Sequence, residues 1–258
     1  MTPLPARIRD ALALADPSWL PVLERGLAAL AAADPDYLPA LAGDEFLPTG
    51  GRMFAAFAQP LTQVRYVLVG EGPYPRAASA TGVCFMDGAV QALWSSSGLS
   101  TQVNRATSLR NFMKMLLVAE GTLAHDCTAG EAMASVSARA RAIGSPYIQT
   151  LRELQENLGR HGFLLLNAAL VFRPHVPPQK EARAWRPFLA TVLEALATSV
   201  APLPSLVLWG KIAGQLQDIP AASRMPQIAA EHPYNLSFIC NPDMHRLFAP
   251  MHLLQRHP

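Results

Sequence analysis

Apolar residues in this chain follow two patterns that alternate along its length. Leu109, Phe112, Met113, Leu116 and Leu117 recur at the three- and four-residue spacing of one helical face, just after Thr107 and Ser108, either of which can cap a helix. Trp185, Phe188, Leu189, Val192, Leu193 and Leu196 repeat that spacing, with Pro187 expected in a first turn, where its missing N–H is harmless. Tyr147, Leu151, Leu154 and Leu158 predict a third helix, stopped by Gly159. Between the helices lie short apolar runs without polar alternation: VRYVLV (64–69), GFLLLN (162–167), SLVLWG (205–210) and the weaker QIAA (227–230). Strands that are apolar on both sides suit a parallel sheet covered by helices on both faces. The expected fold is therefore α/β: a three-layer α/β/α sandwich around a central, mainly parallel four-stranded sheet. Residues 121–145, rich in Ala, Ser and Gly and poorly periodic, are expected to form a loop or a loosely packed helical insertion.

Length and composition narrow the setting. The 258 residues fit one large domain, 1–258, with ample chain to bury a core. Half of the residues are hydrophobic, yet runs such as Phe163 to Leu166 and Leu206 to Trp209 fall far short of the ~20 residues that span a bilayer, so no membrane association is expected. Asp10 and Asp16 fall where a secretory leader needs its apolar stretch, which points to a cytoplasmic protein. Cys84, Cys127 and Cys240 are far apart and form no CxxC pair, as suits a reducing compartment. His125, Asp126 and Cys127 adjoin one another but lack the fourth ligand of a structural zinc site, and three cysteines are too few for an all-cysteine iron–sulfur cluster. Neither a metal nor another cofactor is expected. A net charge of only +2 excludes a basic tail, so any nucleic-acid contact must be local.

In an open α/β sheet, ligands sit beyond the carboxyl ends of the strands. The segments at those ends here are Gly70 to Tyr74, Asn167 to Arg173, Gly210 and Lys211, and Glu231 to Ser237. With their near neighbours they supply Asn167, Arg173, His175, Lys211 and His232, and Tyr74 and Phe85 as aromatic walls. That inventory suits a planar, uncharged ring: an aromatic face stacks, a carboxamide offers both donor and acceptor to an edge, and an imidazole donates to a developing anion. Each residue also has an ordinary reading, Asn167 as a turn cap, Phe85 as core and His232 as a loop histidine before Pro233. A nucleotide-phosphate site lacks its signature, since there is no GxGxxG and no P-loop lysine.

Taken in order, these segments resemble the uracil-DNA glycosylase family. GEGPYPRAASATGVCF (70–85) is similar to that family's GQDPYH motif and the small-residue loop ending in LCF. LLLNAAL (164–170) resembles its LLLNAVL strand, VLWG (207–210) its LLWG strand, and HPYNLS (232–237) its HPSPLS loop. SLRNFMKML resembles its SLRNIFKEL helix, and AWRPF the W-E-x-F start of another. The resemblance implies an α/β enzyme without a cofactor, acting as a monomer on DNA that contains uracil or another damaged base. Such an enzyme flips the nucleotide out of the stack and cleaves its glycosidic bond in base-excision repair. By position, Phe85 would stack on the base, Tyr74 would crowd its C5 edge, and Asn167 would read its Watson–Crick edge. The backbone amides of Glu71 and Gly72 would add donors. His232 would donate to uracil O2 as the leaving anion develops, Leu236 would fill the vacated stack, and Ser237 and Ser108 would contact DNA.

The departures from the family pattern are equally specific. Gly72 stands where the family has a water-positioning aspartate, Pro75 where it has a histidine, and Tyr234 and Asn235 where it has a serine and a proline. NRATS (104–108) replaces its proline-rich loop. Other branches of the superfamily have asparagine or alanine at the aspartate's position. Two readings stay open: a divergent glycosylase, in which Glu71 or Asp87 is a candidate replacement carboxylate, or an inactive relative that binds DNA, a free base or a protein partner.

Overall fold

The computed structural model describes residues 3–256; Met1, Thr2, His257 and Pro258 lie outside the described residues. Its strands in chain order are β1 (Tyr66–Gly70), β2 (Trp94–Ser95), β3 (Gly98–Leu99), β4 (Phe163–Asn167), β5 (Ser205–Trp209) and β6 (Gln227–Ala230). Four of them form a parallel sheet in the order β4-β1-β5-β6, while β2 and β3 pair as a small antiparallel hairpin. The α/β architecture expected from the apolar runs is the one observed. Every residue of β4 is buried, as a strand covered on both faces requires. The register runs from Tyr66 opposite Phe163 to Gly70 opposite Asn167, so both strands reach their carboxyl ends on the same rung.

The chain divides into two compact units: one holds the residues up to Gly88 with 162–208 and 212–227, the other 89–161, 209–211 and the residues from Ile228 onward. In the first, the helix Leu20–Ala33 packs along the helix Pro178–Ser199. Their shared core holds Trp19, Phe54, Phe57, Trp185 and Phe188, joined by edge-on and tilted ring contacts. In the second, the helix Thr107–Ala119 presents Phe112 to Trp209 and Phe248, with ring centroids 5.6 and 5.1 Å away. Among the described residues, no helix is long and apolar enough to cross a membrane.

Several boundaries differ from those expected. The helix containing Trp185 begins at Pro178, so Pro187 lies inside it rather than in its first turn. The helix containing Leu154 begins at Leu151, because Thr150 and Glu153 form a capping box: Thr150 Oγ1 accepts from Glu153 N at 3.2 Å while the Glu153 carboxylate accepts from Thr150 N at 2.8 Å. Tyr147 therefore precedes the helix, and Gly159 lies within it. Within 121–145, expected as a loop or a loosely packed helical insertion, Gly130–Arg141 is a helix that buries Met133, Val136 and Ala140. Neither Thr107 nor Ser108 caps the helix that they begin; Ala106 holds that position without a side-chain bond.

Candidate active site

In the first unit, the ends of β1 and β4 are bound into one surface. Ala168 N–H donates to Gly70 O at 2.7 Å and Ala169 N–H to Glu71 O at 3.1 Å, so the ladder continues past both strand ends. Asn167 is buried on the last rung. Cys84 is tied to β4 through its N–H, which donates to Leu165 O at 3.0 Å. A Cβ on Gly70 would lie 2.5 Å from Cys84 Sγ and 3.1 Å from Asn167 Oδ1, so only glycine leaves both side chains where they are. Burial pushes the Cys84 thiol up to about 12, so it packs as a neutral group.

The loop from Glu71 to Asp87 carries the other candidates in this unit. Tyr74 is half-buried, and its hydroxyl is held protonated by burial first, with the negative field of the Asp87 carboxylate acting in the same direction. Phe85 adopts a φ of 68°, a left-handed conformation that costs a bulky residue about 1–2 kcal/mol and persists only where the surroundings impose it. Glu71 and Gly72 are both exposed. Gly72 differs from Gly70: a Cβ there meets only Ala169 O at 3.7 Å and Ala169 Cβ at 3.9 Å, and its backbone lies outside the left-handed region. The fold does not require glycine at 72. Asp87 is buried and forms an ion pair with the exposed Arg76 at 3.7 Å.

In the second unit, His232 begins a clamped loop. Gly210 N–H donates to Ala230 O at 2.9 Å, and a Cβ on Gly210, which has a φ of 66°, would come within 3.0 Å of His232 Cβ. Tyr234 N–H donates to His232 Nδ1 at 3.1 Å. With Nδ1 accepting, the neutral ring carries its proton on Nε2 and presents that nitrogen as a donor. Asn111, fully buried on the helix Thr107–Ala119, donates its amide to Pro233 O at 2.7 Å and reaches Tyr234 O at 3.3 Å. Although burial raises the Glu231 carboxyl, Ser237, the backbone and Asn241 hold it below its ordinary range. The Ser237 hydroxyl thus bonds within the loop. Leu236 is exposed, and Ser108 sits half-buried in the first turn of its helix.

Two polar residues expected among the strand-end candidates belong elsewhere. Arg173 is buried between Glu181 at 2.6 Å and Asp44 at 3.3 Å, and His175 pairs with Asp44 at 3.0 Å. Tyr37 also donates to Glu181 and accepts from Trp185 Nε1 at 2.7 Å, closing a structural network. Lys211 is exposed. Asn111 and Cys84 were legible only as members of a helix and a loop; nothing local marks them as a clamp and a packing partner.

The pattern that defines the Uracil DNA glycosylase superfamily matches residues 58–245, a span that includes every candidate named above. The chain belongs to this superfamily. Among curated relatives, the uracil-DNA glycosylase of Nocardioides sp. is 29% identical over 197 residues, covering 76% of this chain and 68% of the relative. That of Mycobacterium tuberculosis is 28% identical over 196 residues, covering 76% and 70%. A crystal structure of wild-type UNG from Nitratifractor salsuginis superposes with a TM-score of 0.89 at 40% identity over the whole of both chains. The mimivirus uracil-DNA glycosylase, at 16% identity and a TM-score of 0.55 over 86% of this chain and 71% of its own, shares the fold alone.

Proposed function

We propose that this protein is a DNA glycosylase that releases uracil, or a closely related damaged base, and does so without a carboxylate at position 72. The observation that carries the reading is the hydrogen bond from Tyr234 N–H to His232 Nδ1, which in a neutral ring puts the proton on Nε2 and makes that nitrogen a donor. Uncharged donors aimed at a developing anion stabilise it without reorganising during the reaction. In the proposed reaction the N1–C1′ bond breaks and its electron pair stays on the base, spreading to O2, where His232 donates. Asn167 reads the base edge with its amide, Phe85 stacks on the ring, and Tyr74 excludes a methyl at C5. Water then adds to the sugar cation at C1′ and gives its proton to solvent, leaving free base and an abasic site.

The missing aspartate is assigned a cost in rate, not a loss of function. A positioned acid–base group contributes about 10²- to 10⁴-fold, equivalent to about 3–5.5 kcal/mol of barrier. Chromatographic detection of free uracil from a single-stranded, uracil-containing oligonucleotide tests the reading. Product that disappears in Asn167→Asp and in His232→Ala supports it. No product after long incubation at high enzyme concentration, with several lesions offered, ends it.

A second reading is favoured by Gly72 itself: the backbone there accepts a side chain, so no packing demand accounts for the glycine. On that reading the protein is a binder of DNA, a free base or a protein partner. Saturable binding without turnover, with activity gained in Gly72→Asp, would distinguish it.

A further inference from the structure

We propose that Tyr234 is a second DNA-stacking residue, laying its ring on a base next to the step that Leu236 enters; this rests on the glycosylase reading and deepens it. The described residues include five exposed large hydrophobic side chains, Leu14, Ile143, Leu203, Tyr234 and Leu236. Two of these five share one loop, each 68% exposed. Scattered exposed apolar residues need no explanation, but two side by side on an ordered loop mark a contact surface.

The loop's order is what makes the exposure informative. Asn235 N–H donates to His232 O at 2.9 Å, Asn111 holds Pro233 O, and Phe238 N–H donates to Asn235 O at 3.3 Å. Phe238 is fully buried against Trp209, with ring centroids 5.3 Å apart. The backbone beneath Tyr234 and Leu236 is therefore fixed at both ends, and the two side chains are presented outward instead of folding into the core.

Nucleic acid suits this surface better than protein. Between Pro233 and Ser237 the loop carries no charge to repel phosphate. The helix that anchors it places one cation beside the anchor: Arg110 donates to Asn111 Oδ1 at 3.2 Å, on the same side chain whose amide holds Pro233 O. Residues 234 and 236 are separated by at most ~7 Å of chain, and bases rise ~3.4 Å per step along a strand. The two side chains thus address base levels no more than about two steps apart. A tyrosine ring stacks on any base while its hydroxyl stays in water.

The test is equilibrium binding to a duplex with a tetrahydrofuran abasic site flanked by 2-aminopurine, read by anisotropy and by 2-aminopurine fluorescence. Tyr234→Ala is expected to weaken binding about 5- to 150-fold, the range for losing one base–aromatic stack. It should also reduce the 2-aminopurine response, yet leave the slope of log K against log salt unchanged, since no phosphate contact is lost. Tyr234→Phe should bind within about twofold of wild type. Equal binding by wild type and Tyr234→Ala overturns the proposal, and so does a Tyr234→Phe loss as large as that of Tyr234→Ala. If wild type fails to prefer the abasic duplex over an intact one, the glycosylase reading falls and takes this proposal with it; if wild type keeps that preference and only the Tyr234 effect is missing, this proposal falls alone.

Discussion

Gly70 and Cys84 touch so closely that the first carbon of any side chain on Gly70 would lie 2.5 Å from the Cys84 sulfur, with Asn167 Oδ1 the next atom at 3.1 Å. The candidate base-reading amide is thus held partly by the absence of a side chain on the neighbouring strand. Gly70→Ala should destabilise the protein by about 1–3 kcal/mol, the usual cost of overpacking. It should also reduce uracil release by displacing Asn167. Adding Cys84→Ala removes the nearer obstacle and should recover part of both losses. Chemical denaturation of the single and double variants measures the coupling; additive losses would mean that the two residues do not act through each other.

The three thiols should behave differently. Cys127 and Cys240 are exposed, whereas Cys84 is buried and its thiol is pushed up to about 12. A thiol reagent at pH 8 should modify Cys127 and Cys240 quickly and Cys84 only after denaturation. Because the folded-state value is raised, the neutral thiol is the form that favours folding. Its contribution is complete below the ordinary value of 9.0 and is lost as pH rises toward about 12. Cys84→Ala should flatten that alkaline decline in stability. Rapid modification of all three thiols in the native protein would contradict the packing.

The network under the segment after β4 is a separate source of stability. Glu181 binds Arg173 and Tyr37 in a buried setting, where burial opposes the Arg173 charge and Glu181 outweighs it. Glu181→Gln removes the nearer of the two carboxylates on Arg173 and leaves Asp44 at 3.3 Å, and should cost about 3–5 kcal/mol. Urea titration checks this; a change within ~0.5 kcal/mol would show that Asp44 alone satisfies the guanidinium.

How much of this could be read from sequence depends on whether the determining partner is local. Gln227–Ala230 forms the strand its residues suggest, and the apolar run at 163–167 is the fully buried β4. The capping box at Thr150 and Glu153 is also local: three residues separate its partners, and that spacing alone marks where the helix starts. Leu23, Leu27 and Leu30 likewise carry a helical spacing, and they line the buried side of their helix. Arg173 differs because its two carboxylates come from different distances: Glu181 is eight residues along the chain, but Asp44, which completes the pairing, lies 129 residues away. The site divides in the same way. Asn167, Phe85 and His232 stand in recognisable motifs, whereas the Cys84 packing against Gly70 and the Asn111 clamp exist only once the chain has folded.

Single-turnover release of uracil by wild type beside Gly72→Asp tests the central claim most directly. A Cβ at Gly72 meets nothing closer than 3.7 Å, and a melting curve of Gly72→Asp beside wild type separates a change in chemistry from a change in folding. Slow but measurable release is predicted for wild type, abolished by Asn167→Asp, with an increase of up to about 10²- to 10⁴-fold on adding the carboxylate. No release by wild type under any condition, whether or not Gly72→Asp gains activity, would contradict it.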